Sequence, residues 1–129
     1  MNELNNKILK QAEKLNYTVA EIAPNNVIDL FNSSSLKVWS GQSDNTIWND
    51  PKVNWAFRAL HDQLHLDTGI GFSPDQEMYI GRLQASQYDG MLADLVYIET
   101  TEQAKYFKEN GVFVSNQKLF TVEKLKLIA

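Results

Sequence analysis

Asp50-Pro51-Lys52-Val53-Asn54-Trp55-Ala56-Phe57-Arg58-Ala59-Leu60-His61-Asp62-Gln63-Leu64-His65-Leu66 reads as one amphipathic helix. Asp50 can cap the free backbone N–H groups, and the fixed φ of Pro51 suits the first helical position. The helix is expected to run to about Leu66 and to end at Gly69 and Gly71. Val53, Phe57, Leu60 and Leu64 recur at spacings of 4, 3 and 4, a stripe that should enter a core. One residue further on, about 100° round the axis, runs a polar stripe of Asn54, Arg58, His61 and His65. Asp62 projects beside it, on the flank with Trp55, Ala59 and Leu66.

Outward from this helix the chain reads mostly as further helices. Residues 2–15 carry Leu4, Ile8, Leu9, Ala12 and Leu15 at helical spacing. Pro24 interrupts, and Asn25-Asn26 can cap a short helix through Leu30-Phe31. Asn32 to Ser35 reads as a turn, Leu36 to Ser40 as a short strand and Gly41 to Asn49 as a polar loop. Ser73-Pro74-Asp75-Gln76 has the pattern of a capping box. That second helix is expected to pass Tyr88 towards Ile98, with a break at Asp89-Gly90. Thr100 or Thr101 can cap a third, closed by Asn110-Gly111. Val112 to Val114 looks extended, and Thr121 to Ile128 reads as a last short helix. The fold class expected is mainly α: a compact helical domain spanning residues 1–129, with antiparallel helices and at most a small β element.

The composition narrows the function classes. The chain has 129 residues, 43% hydrophobic and 22% charged, with no cysteine. Disulfides and thiolate metal sites are excluded, so a metal would be held by imidazole, carboxylate, amide or water. A net charge of −4 argues against a general nucleic-acid binder. No apolar run approaches the roughly 20 residues that span a bilayer. The first residues lack the layout of a signal peptide. A soluble, cytoplasmic protein is the expectation, with a symmetric dimer as a reasonable prior.

The two histidines of the chain, His61 and His65, stand four residues apart. On a helix that spacing puts both imidazoles on one face, as in the HExxH helix of zinc proteases. The seven residues from Asp67 to Ser73 form a short connection, which favours adjacent antiparallel helices. Glu77, in the first turn of the second helix, can then come near His65. Glu77, Gly81, Gln84 and Tyr88 follow helical spacing on one face. The candidate metal ligands are therefore His61, His65 and Glu77, a set for zinc first, with iron or manganese as alternatives. Asp62 stands where HExxH enzymes carry a general base, and otherwise can orient a histidine. Arg58 can neutralise developing negative charge, and Gln84 or Tyr88 can contact substrate. Each has a plainer alternative: an interhelical polar cluster for the histidines, an ion-pair role for Arg58, a helix-terminus charge for Glu77 and a packing contact for Gly81.

The run from Asp50 to His65 resembles a pattern in small, mostly uncharacterised proteins encoded by bacteriophages: W-x-F-R-x-x-H-D-x-x-H, then a short Gly-Phe loop, then a helix with an early Glu. Here the loop is Gly69-Ile70-Gly71-Phe72 and the acid is Glu77. The resemblance covers about Asn49 to Gln87 and marks Arg58, His61, Asp62, His65 and Glu77 as motif positions. It implies a phage accessory protein working in the host cytoplasm. Two functions follow as expectations. One is a small metal-dependent hydrolase acting on a small substrate. The other is a binding or inhibitor protein that docks on a host protein, its histidine cluster structural.

Overall fold

The computed structural model describes residues 2–23, 31–32 and 35–128. They fall into two compact units, Met1–Gly71 and Phe72–Ala129. Helices make up most of the second unit and are the main elements of the first, and the β structure among the described residues is one small sheet in the first, so the chain is mainly α.

The first unit opens with α1 (Asn2–Ala12), which buries Ile8 and Ala12. It stops three residues short of the expected end, where the N–H of Leu15 turns back to the carbonyl of Ala12. Three strands follow: β1 (Tyr17–Ala20), β2 (Phe31–Asn32) and β3 (Ser35–Trp39). The order is β1-β3-β2, with β1 parallel to β3 and β2 antiparallel to it. β3 is the strand expected over Leu36–Ser40, moved by one residue. Leu36 and Val38 go into the core while Lys37 and Trp39 stay half-exposed, the alternation of a one-sided strand. The short helix expected after Asn25-Asn26 lies outside the described residues, apart from Phe31, which is in β2.

α2 (Pro51–Thr68) is the quoted helix, and its ends are as its residues require. Asp50 Oδ1 accepts from the N–H of Lys52 at 2.9 Å. At the other end Gly69 takes φ +71° and returns its N–H to the carbonyl of His65, a left-handed cap open to a residue without Cβ. α2 packs on α1 and β3. Val53 and Phe57 are buried, with the Phe57 ring 5.3 Å from that of the fully buried Trp48. Leu60 and Leu64 are only half-buried, whereas Asn54 and His65 are buried. The buried face is thus turned towards the polar stripe, because the loop after β3 folds over Asn54.

The second unit opens with α3 (Pro74–Ala85). The Ser73–Gln76 capping box is formed in both directions. The helix does not run past Tyr88; it ends at Ala85, and α4 (Gly90–Tyr97) begins at the expected break. Thr100 and Thr101 cap nothing. α4 continues through a π turn (Ile98–Glu102) into α5 (Gln103–Asn110), with both threonines buried inside it. Their hydroxyls find partners elsewhere: Thr100 donates to the Val96 carbonyl at 2.7 Å, and Thr101 donates to that of Met78 in α3. A threonine inside a continuous helix turns its hydroxyl to a nearby carbonyl and has no free helix start to cap.

Gly81 is where α3 meets the π turn. A Cβ there would stand 2.5 Å from the Oγ1 of both Thr100 and Thr101. Gly111 ends α5 with φ +72°. Val112–Val114 joins no strand among the described residues, and Phe113 stacks on Phe107 at 4.5 Å. α6 (Gln117–Ile128) starts four residues before the expected Thr121. Thr121 is buried and donates to Glu99 Oε1 at 2.5 Å, while Gln103 donates to Glu99 Oε2. Among the described residues no helix is long and apolar enough to cross a membrane.

Candidate metal centre

The polar stripe on α2 does two different things along its length. Its first half holds the loop after β3. Asn54 Nδ2 donates to Ser43 Oγ at 2.9 Å, both side chains being buried. Trp55 Nε1 donates to the Ser40 carbonyl at 3.2 Å. Arg58 donates through Nη1 to the carbonyls of Trp39 and Gly41 and through Nη2 to that of Gln42. Its guanidinium also lies over the Trp39 ring, 5.0 Å from the centroid. A planar cation with a fork of donors suits this gathering of carbonyls. The sequence reading offers Arg58 either a reacting group or an ion-pair partner, and backbone carbonyls are neither. A long arginine beside a Ser/Gly/Asp-rich loop was the only available signal.

The second half of the stripe is the histidine pair. His65 is fully buried. Its Nδ1 is 2.8 Å from the Ile70 carbonyl, and its Nε2 is 3.2 Å from the Nε2 of His61. A carbonyl only accepts, so Nδ1 of His65 carries the proton and Nε2 presents its lone pair. The rings meet edge-on, with centroids 4.9 Å apart and planes at 70°. The Ile70 carbonyl reaches the ring because the left-handed turn at Gly69 folds the chain back over the end of α2. A ligand histidine bonded through its second nitrogen to a backbone carbonyl is the usual outer support of a metal site.

Two imidazole nitrogens bound to one tetrahedral zinc, each 2.0–2.1 Å from the ion, stand about 3.3 Å apart. The Nε2–Nε2 separation of 3.2 Å is already that span. Asp62, next to His61 on α2, is half-buried.

The remaining sequence-derived residues belong to the second unit. Glu77 is half-buried in the first turn of α3. Gln84 is fully buried on the same helix, one turn beyond Gly81. Tyr88 lies past the end of α3, its N–H bonded to the Ala85 carbonyl, and so leaves the helical face expected for it. His61 and His65 thus belong to the first unit, and Glu77, the carboxylate of the expected donor set, to the second. Comparison of the chain with protein-family models, with curated proteins and with solved structures finds no match.

Proposed function

We propose that this chain is a metal-binding protein with hydrolytic chemistry, in which His61, His65 and Glu77 hold a divalent cation, zinc before iron or manganese. The observation that carries the reading is the histidine pair. Two Nε2 atoms already sit one ligand–ligand span apart, and one ring is oriented by the Ile70 carbonyl. Two imidazoles and a carboxylate are a common donor set for a catalytic divalent ion, and three protein ligands leave a position for water.

A bound ion of this kind lowers the pKa of its water and polarises a substrate carbonyl or phosphoryl oxygen. His65 is held in one tautomer by its bond to the backbone, so it offers Nε2 without rearranging. His61 must present its own Nε2 lone pair to do the same. Asp62 is a short acid beside His61, suited to orienting that ring or receiving a proton from water. Arg58 is engaged with three loop carbonyls, which favours a positioning role over direct contact with substrate. Gln84 and Tyr88 remain the proposed substrate contacts. The resemblance to phage-encoded proteins gives the proposed setting, an accessory activity in the host cytoplasm.

The test is the metal content of untagged protein by elemental mass spectrometry, beside His61→Ala and Glu77→Gln. We expect close to one equivalent of zinc, iron or manganese in the native chain, and loss of it in both variants. A native chain without metal after incubation with each ion would overturn the reading. Metal retained by Glu77→Gln would remove Glu77 from the set and leave the histidine pair.

A further inference from the structure

β1 is the outer strand of the small sheet, and among the described residues nothing pairs with its outer edge. The carbonyls of Asn16 and Ala20 accept from the N–H groups of Leu36 and Ser40, at 2.9 and 2.8 Å. Alternate residues of a strand direct their N–H and C=O to the same side. Thr18 therefore faces β3 as well, and the backbone groups of Tyr17 and Val19 face the other way. Among the described residues no strand pairs with that outer edge. Thr18 is exposed, and Val19 is 42% exposed. Edge strands are commonly protected by a charged side chain, a proline or a bulge. Tyr17-Thr18-Val19-Ala20 has no charge and no proline, and its register with β3 runs through all four residues without interruption.

We propose that this edge docks a second copy of the chain, β1 against β1, antiparallel about a two-fold axis at Thr18. The register follows from which residues point outwards. Backbone exchange is open only to Tyr17 and Val19, so Tyr17 of each copy bonds Val19 of the other, and Thr18 meets Thr18 in the unbonded position between them. The side-chain pairs are then one threonine pair and two aromatic–β-branched pairs, combinations that favour strand pairing. The adjacent registers are worse. An axis at Tyr17 sets Val19 opposite Leu15, which lies in the bend before the strand, and an axis at Val19 sets Tyr17 opposite Glu21. A short strand makes a modest interface, so the dimer is concentration-dependent.

The absence of cysteine from the chain makes a direct test available. In an unbonded antiparallel pair the Cα atoms are about 4.5 Å apart, within the range a disulfide bridges. Thr18→Cys in the full chain, under mild oxidation, should give a covalent dimer about tenfold faster than Ile22→Cys, since docking raises the effective concentration of the thiols. Ile22 is more exposed, at 83%, and serves as the collision control. Adding Val19→Pro removes an outward N–H at a position where an edge strand tolerates proline, and should abolish the advantage. Val19→Lys is the second variant if circular dichroism shows that the proline disturbs the fold. Sedimentation of the native chain should show a mass that rises towards the dimer with concentration. Equal cross-linking of the two cysteine variants, or a dimer that both Val19 substitutions leave intact, would overturn the proposal. A native chain that stays monomeric throughout would do the same. Each measurement is made with chelator and again with added zinc, so its outcome is independent of the metal site.

Discussion

A methyl group at position 81 is all that would be needed to push α3 off the π turn. Gly81→Ala usually gains about 1 kcal/mol inside a helix. Here the new carbon would stand 2.5 Å from two threonine hydroxyls, and overpacking of that kind costs about 1–3 kcal/mol. The expected net outcome is a lower melting temperature by thermal denaturation, and a rise would mean that the contact is soft. The sequence pointed at Gly81 because glycine is expensive there, but not at what approaches it. The histidines divide in the same way. Their four-residue spacing is a local property of a helix and was legible. That the two Nε2 atoms face each other, with Nδ1 of His65 on the Ile70 carbonyl, depends on rotamers and on a backbone turn, which residue types do not encode. The partners of Arg58 were hidden for a related reason, since they are backbone carbonyls of the loop.

Elements were legible where their ends carry chemistry. Asp50-Pro51 and Ser73-Pro74-Asp75-Gln76 both start helices as expected, and Gly69 and Gly111 both end them in the left-handed conformation. Replacing Ser73 with alanine removes the hydroxyl that accepts from Gln76 N–H. The expected cost is about 1 kcal/mol, measured by urea denaturation, with Ser73→Asp recovering most of it. No loss in Ser73→Ala would show that this helix start is held by packing alone. β1 escaped notice because four residues with both ends half-buried show no alternation. The π turn escaped because its hydroxyls imitate caps, while the burial of Ile98, Glu99, Thr100 and Thr101 in succession has no helical period to detect.

At the scale of the whole chain, the proposed ion should act as a folding ligand. A ligand that binds only the native state, present at 100 times its dissociation constant, adds about 2.7 kcal/mol. Zinc is expected to raise the melting temperature of the native protein, chelator to reverse the rise, and His61→Ala to respond to neither. A native chain that melts identically with and without zinc would contradict that expectation. The mainly helical class followed from the spacing of apolar residues, which needs no knowledge of partners. The run from Gly90 to Asn110 shows what such spacing leaves out. Joined through the π turn, α4 and α5 form one shaft of about 30 Å, and the widened turn advances the second half by nearly a third of a revolution. The two halves drive different faces from one axle. Removing one residue from Ile98–Glu102 would therefore turn every side chain of α5 by about 100° about the axis and take Phe107 away from its present face.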